Sequence, residues 1–299
     1  MAAERSIARA AFAKINLDLR VRGVRPDGYH ELHTTFQSIA LADALTFTHA
    51  AGPFHIVCDD PRCPTDRRNL VWRAAELVWK AARRRGAPRE AIVTIAKRIP
   101  MQAGLGGGSS DAAAALRALA VLWGVKLARD RLHRMAAAIG ADVPYFLEGG
   151  TVRGLDRGDR LVRLADIPRA WVVLVVPGFG VSTKEAFAWW DHDGQAGQAG
   201  QARLAMHAAR DGQEGKNKSS NDLQAVVARR HPLVTTLVEA LEHHGAFQAS
   251  LSGSGSAVFG LFTRKFEAER AARALAGARR QVLITRTLGR AECRRLAAK

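Results

Sequence analysis

The chain has 299 residues and is short of the features that mark secreted or membrane-bound folds. It contains only three cysteines, Cys58, Cys63 and Cys293, and two tyrosines. Three cysteines at those spacings do not make a disulfide framework. His55, Cys58 and Cys63 fall together in HIVCDDPRC, but no second ligand pair at zinc spacing accompanies them, so a metal centre there is a minor alternative. No hydrophobic run is long enough to span a bilayer. The most apolar one, AWVVLVVPGFGV, has 12 residues against the roughly 20 required. Glu4, Arg5 and Arg9 stand where a signal peptide needs an uninterrupted apolar core. A reducing cytosol and no membrane partner are the expectation. Acidic residues are scarce as well: 28 Asp and Glu face 45 Lys and Arg, for a net charge of +17. Residues 264–299 alone carry 11 basic and 3 acidic side chains. Such an excess suits nucleotides, phosphorylated metabolites, RNA or an anionic surface. Arginines scattered over a solvated surface are the plainer account of it.

What is present is ordinary for a globular protein, 47% hydrophobic and 24% charged residues, enough for a large core. SIARAAFAKINLDLRVRGV alternates as a strand does, RPDGYHE reverses the chain, and HTTFQSIALADALTFTHA continues the sheet. An irregular acidic, proline-bearing stretch follows. NLVWRAAELVWKAARRRG has helical spacing with Gly86 as its stop, and AIVTIAKRIP is a strand. RDRLHRMAAAIG is a helix ending at Gly140, after which ADVPYFLEGGTVRGL turns into extended structure. Near residue 166 the pattern resets. RAWVVLVVPGFGVST reads as a buried strand and turn, and KEAFAWW opens a helix. The low-complexity segment around 194–202 reads as a mobile surface insertion. Helical periodicity lies on both sides of Pro232, FQASLSGSGSAVFGLF forms two strands around a Gly/Ser turn, and a charged helix and the strand QVLITRTL finish the chain. This order fits two α+β lobes, 1–165 and 166–299, better than a βαβ repeat.

The segment IPMQAGLGGGSSDAAAALRALAVLW (99–123) places four glycines directly before an alanine-rich helix expected over 112–123. Ser109, Ser110 or Asp111 is its expected cap. Glycines let the backbone bend sharply and be approached closely, and a helix start attracts phosphate. A plain strand-to-helix loop is the alternative. Familiar nucleotide motifs fail in turn. No lysine follows these glycines as a P-loop requires, and GKNKSS at 215 lacks the upstream glycine. Ser109 replaces the third glycine of a dinucleotide fingerprint, and Asp130, near the right distance for its acidic residue, precedes a helix. HELH (30–33) is one residue short of a zinc-protease pair, and GSGSA (253–257) is followed by a strand rather than the helix of a nucleophile elbow.

Pro100, Gly104-Leu105, the following glycines, Ser109-Ser110 and Ala112-Ala113 resemble the phosphate loop of the GHMP kinases. AKINLDLRVRGVRPDGYHELHTTFQSI (13–39), GADVPYFL (140–147) and PGFGVSTKEAF (177–187) resemble the branch that acts on a cytidine diphosphate conjugate of methylerythritol, and NDLQAVV and SLSGSGSAVFGLF follow in order. The resemblance runs from about residue 10 to 290. Two features depart from the pattern: the GQAGQAGQA insertion, and Asp111 where asparagine is common, a carboxylate expected to weaken phosphate attraction.

The resemblance implies a two-lobed α+β GHMP kinase fold, with a ribosomal protein S5 domain 2-like N-terminal lobe and a ferredoxin-like C-terminal lobe. It implies transfer of the γ-phosphoryl group of ATP, with Mg²⁺, to a hydroxyl of that conjugate, at its 2-position, on the non-mevalonate route to isoprenoid precursors. Asp142 then matches the catalytic base and Lys14 the cation beside it. A capped turn paired with a strand-edge lysine is the plainer reading of those two. ATP would be held by Asn69, Lys97, Pro100, Ala103, Gly104, Leu105, Gly106, Gly107, Gly108, Ser109 and Ser110, with Ser109 or Ser110 near the metal. The substrate would be held by Asn16, Tyr29, His30, Asp142, Thr183 and Phe187, its pyrimidine between the aromatic faces of Tyr29 and Phe187 with His30 at its edge. GSGSA would floor the cleft between the lobes, a hairpin turn being the alternative. A kinase of another small alcohol, such as homoserine or mevalonate, and a basic nucleic-acid-binding protein are the competing expectations. The implied enzyme is a monomer or weak homodimer with no nucleic-acid partner.

Overall fold

The computed structural model describes residues 6–195 and 221–297. Strands β1 (Ser6–Val24) and β2 (His30–Thr48) form a long antiparallel hairpin. Apolar residues two apart in β1, from Ala11 to Val21, are buried, as a strand with one covered face requires. They serve three cores in succession. Ala11 joins the first, Ala13, Ile15 and Leu17 a middle one, and Leu19 and Val21 the last. The pairing shifts between Phe12 and Lys14 and between Asn16 and Asp18. Such bulges twist a strand and redirect its side chains.

The first sheet runs β3 (His55–Cys58), β4 (Ile92–Ala96), β2, β5 (Thr151–Leu155), β6 (Arg160–Arg163), with β1 paired to β2. Helices α1 (Leu70–Ala81), α2 (Gly107–Leu122), α3 (Arg129–Ile139) and α4 (Val143–Glu148) close the first core against it. The second sheet is antiparallel, in the order β10 (Arg280–Arg286), β7 (Trp171–Pro177), β9 (Val258–Phe262), β8 (Gln248–Leu251). That is the ferredoxin-like order. Helices α5 (Thr183–Gln195), α6 (Asp222–Arg230), α7 (Leu233–His243) and α8 (Lys265–Ala274) cover its outer face. The other face of β7, with Val172, Leu174 and Val176, meets Ile15 and Ile39 of the first sheet. Burial on both faces explains why β7 is a continuous apolar run rather than an alternating one. Helix α9 (Arg290–Ala297) returns to pack on β1.

Several local expectations change. Helix α2 starts at Gly107 rather than Ala112, with left-handed Gly106 as its N-cap and no side-chain cap, so Ser109, Ser110 and Asp111 lie inside the helix. The stretch 141–155 first forms α4. Pro144 fits in its opening turn, where a missing N–H is harmless, and Gly149 and Gly150 end it at positive φ. Helix α1 stops at Ala81, short of Gly86, and Arg83 turns the chain at φ 60°. The irregular stretch after β2 contains β3, which pairs parallel with β4. The strand β10 does not finish the chain, because α9 follows it. Only Cys293 of RAECRRLA is buried, so hydrophobic spacing carries no signal there. Of the low-complexity insertion, residues up to Gln195 end α5, and the remainder lies outside the described residues.

Gly104 sits at φ +73°, and a Cβ there would lie 1.9 Å from the Ser252 carbonyl oxygen, whereas one at Gly108 would meet nothing within 4 Å. Gly104→Ala is expected to destabilise the protein by about 3 kcal/mol or more. Gly108→Ala should shift stability by no more than about 1 kcal/mol, in the stabilising direction. Thermal denaturation of the two variants side by side checks the contrast.

Candidate active site

The loop between β4 and α2 is pinned from two sides. From β1, the Lys14 N–H donates to the Leu105 carbonyl at 3.0 Å. From the second sheet, the Ala257 N–H reaches the Ala103 carbonyl at 3.2 Å and Ser252 Oγ the Gly104 carbonyl at 3.0 Å. The first bond of α2 runs from the Ser110 N–H to the Gly106 carbonyl. The N–H groups of Gly107, Gly108 and Ser109 therefore have no partner within the helix. A side chain at Gly106 would strike the Phe146 ring at 2.6 Å, so the N-cap stays bare and no capping oxygen competes for those N–H groups. They line a cleft of about 490 Å³ that receives residues from the first sheet and from the loops and helices of the second lobe. Its electrostatics favour an anion at the helix end.

Lys14 and Asp142 come together at the mouth of this loop. The Lys14 ammonium is buried, donates to Asn16 Oδ1 and to the Gly104 carbonyl at 2.9 Å, and lies 3.8 Å from Asp142 Oδ2. Burial lowers its pKa, and the Asp142 carboxylate opposes that shift. Asn16 is fixed in turn, since its Nδ2 donates to Thr34 Oγ1 at 2.7 Å. Asp142 precedes α4 but makes no side-chain cap bond, and its carboxylate is 37% exposed. The pair is thus a buried cation beside a carboxylate open to the cleft, not a capped turn.

On the other loops the structure revises several expected contacts. Ser110 is buried and its Oγ donates to the Phe12 carbonyl at 2.7 Å, which leaves Ser109 as the hydroxyl facing the cleft. Asn69 lines the cleft but also caps α1, accepting from the Val71 N–H while donating to the Pro64 carbonyl. Lys97 also lines it, with its N–H bound to Asp59 and its ammonium held inside by Asp43 and Asp111. His30 does not stand at the edge of a Tyr29–Phe187 gap. Its ring stacks on Phe187 at 4.4 Å and its Nε2 lies 2.8 Å from Asp191 Oδ1. Tyr29 is 57% exposed, with the Arg157 guanidinium 5.2 Å from its ring centre. Phe187, Arg157 and Thr183 line the cleft, and Thr183 Oγ1 lies 3.2 Å from Ser254 Oγ in the Gly/Ser turn. His55, Cys58 and Cys63 do not converge; among the described residues no three metal-ligating side chains do.

Sequence reasoning missed two supports. Asn221 caps α6 and its Nδ2 donates to the Leu251 and Gly253 carbonyls, holding the turn that presses on Gly104. Its signal was the Asn-Asp pair opening NDLQAVV. Asp43 accepts from the Arg98 and Ile99 N–H groups at the loop's entry. Nothing local in β2 marks it.

A glycine-capped helix, a buried lysine and a carboxylate facing one cleft are features that phosphoryl transfer calls for. The family model described as GHMP kinases N terminal domain matches residues 69–150, and that described as GHMP kinases C terminal matches 198–279. The chain belongs to the GHMP kinases, ATP-dependent phosphotransferases. It is 42% identical over 282 residues to the 4-diphosphocytidyl-2-C-methyl-D-erythritol kinase of Moorella thermoacetica, covering 93% of this chain and 98% of that protein. Its likeness to the same-named kinase of Bacillus pumilus is 37% over 284 residues, covering 95% and 97%. A crystal structure of 4-(cytidine 5'-diphospho)-2C-methyl-D-erythritol kinase superposes with a TM-score of 0.73 at 35% identity, covering 95% of this chain and all of that one. Homoserine kinase from Cytophaga hutchinsonii, at 19% identity, 97% and 96% coverage and a TM-score of 0.64, shares the fold.

The carboxylate at 111 does not face the phosphate loop uncompensated, as its position had suggested. Lys97 Nζ reaches its Oδ2 at 2.9 Å, while Oδ1 is buried without a partner. Burial pushes the Asp111 carboxyl up to about 7, with Lys97 opposing and Asp43 adding to the shift. The two carboxylates keep the Lys97 ammonium charged despite its burial. Asp111 therefore holds its proton more tightly folded than unfolded, where a pKa near ~3.9 applies. Its stabilising contribution is complete below about pH 4 and is lost as pH rises through about 7. The melting temperature should fall between about pH 4 and 7 and level off above that, and Asp111→Asn should flatten that slope, as thermal scans across pH will measure.

Proposed function

We propose that this chain transfers the γ-phosphoryl group of ATP to the 2-hydroxyl of 4-diphosphocytidyl-2-C-methyl-D-erythritol, on the non-mevalonate route to isoprenoid precursors. The observation that carries the reading is the buried Lys14 ammonium, 3.8 Å from Asp142 and bonded to the carbonyl of Gly104 in the glycine loop. The triphosphate is assigned to the N–H groups of 106–109, and the adenine to the wall of Asn69, Lys97 and Pro100. The substrate hydroxyl is assigned to the space beside Asp142 and Lys14. There Asp142 orients the hydroxyl and takes its proton as the new O–P bond forms and the bond to ADP breaks. Lys14 steadies the oxygen while it carries negative charge. Alignment and charge stabilisation are the main demands of this reaction.

Mg²⁺ fits this donor set. It keeps most of its oxygens from phosphate and water, so one or two protein oxygens suffice, and Ser109 and Asp142 offer them at the cleft. Its contribution is to neutralise phosphate charge. The cytosine is assigned to the side of the cleft lined by Phe187 and Arg157, with His30 stacked behind Phe187 and Tyr29 beside Arg157, and with Asn16 and Thr183 as polar contacts. In this reading residues 1–165 bind ATP, 166–299 complete the cleft, and the enzyme works in the cytoplasm as a monomer or weak homodimer. Among the described residues no helix is long and apolar enough to cross a membrane.

Turnover measured on the cytidyl conjugate, homoserine and mevalonate tests the reading; preference for either of the latter two would overturn it. Asp142→Asn should lower kcat by about 10²–10⁴-fold with the KM for ATP changed by less than about threefold. Phe187→Ala should raise the KM for the cytidyl substrate about tenfold and leave that for ATP unmoved, which steady-state kinetics with each substrate varied will show.

A further inference from the structure

A second cavity, about 220 Å³, lies on the other side of α2 from the cleft. Ser109 and Asp111 face the cleft, whereas Ser110, Ala113, Ala114, Arg117 and Val121 line the second cavity. Their three- and four-residue spacing is that of one helix face. Residues 9–12 of β1, Ser38 of β2, residues 146–149 with Glu148 at the end of α4, and Cys293, Arg294 and Ala297 of α9 form the remaining walls. Alanines on three facing elements, Ala10, Ala113 and Ala297, keep its walls small.

Three arginines, Arg9, Arg117 and Arg294, converge on this space. Among the described residues Arg9 donates to the Ala8 carbonyl and Arg117 to the Leu147 carbonyl. Arg294 has a carboxylate only at 3.9 Å, and that one, Glu148, is already bound by Arg129 and Arg163. Burial and the like charges of Arg294 and Arg9 lower the Arg117 pKa, and the Glu148 carboxylate opposes that shift. Among the described residues Glu148 in the same wall is the one carboxylate facing these cations and is already shared with Arg129 and Arg163, so a further anion among them relieves their repulsion, and guanidinium groups match phosphate oxygens in pairs. We propose that this cavity is a binding site for a small phosphorylated ligand with a short apolar body, distinct from the ATP cleft. Phe146 joins the two cavities, since it lines the second while its ring edge abuts Gly106 of the first. An occupant is therefore felt at the glycine loop.

The test titrates the full chain with butyl phosphate by calorimetry while a non-hydrolysable ATP analogue saturates the cleft, so the glycine loop cannot be the responding site. One-to-one binding is expected, weakened tenfold or more by Arg117→Gln and by Arg294→Gln, with no binding of butanol. Arg294 is 54% exposed and, among the described residues, makes only that long ion pair, so its variant keeps the fold if Arg117→Gln does not. Absence of saturable heat, binding that Arg294→Gln leaves unchanged, or equal binding of butanol overturns the proposal. The link to the loop rests on the kinase reading: saturating butyl phosphate should change the KM for ATP twofold or more, and an unchanged KM with calorimetric binding intact removes the link alone.

Discussion

A buried ammonium must be surrounded by oxygen, and the site is organised around meeting that demand for Lys14. Its partners come from three separate places: Asn16 on its own strand, the Gly104 carbonyl and Asp142. Each partner is held by something further out. Asn16 is tied to Thr34 across the hairpin. The Gly104 carbonyl points inward because the residue is left-handed and lies against the Ser252 turn. That turn is held by Asn221 from the start of α6. An unpaired charge at this depth would cost several kcal/mol, so the surrounding elements are constrained to keep the lysine satisfied. Lys14 and the glycine loop are therefore positioned by one set of bonds.

Much of this was legible in the residues. The long alternating strands, the helix before Gly140, the helices around Pro232 and the two strands flanking GSGSA all follow from local spacing. Lys14 and Asp142 are 128 positions apart and could be paired only through the likeness of their surrounding segments to the GHMP kinases. What was not legible depends on contacts across the fold. Serine is a better N-cap than glycine by local preference, yet α2 begins at Gly107 because the packing of Phe146 and Ile99 excludes side chains just ahead of it. Strands β3 and β6 have four residues each, too few for a period to emerge. His30 looked ready for hydrogen bonding in a polar turn, but Asp191, 161 positions away, takes its Nε2.

Helix α2 separates two electrostatic environments with one element. On the cleft side Asp111 and Asp43 enclose Lys97, so acid and base are nearly balanced beside the glycine loop. On the opposite side Arg117 stands with Arg9 and Arg294. An alanine-rich helix suits this position, since its small side chains let β1, α1 and α4 approach closely while its ends and polar positions carry the charge. Part of the large positive excess of the chain is thus concentrated beside a cavity rather than spread evenly over solvent.

Strand β1 contributes Ala11 to the first core, Ile15 to the middle one and Leu19 to the last. A segment threaded through the three largest hydrophobic clusters leaves neither lobe a complete interior of its own. Opening either one strips apolar neighbours from the other, so the described molecule is built to lose its order in a single concerted transition, despite a two-sheet anatomy that invites the picture of two independent halves.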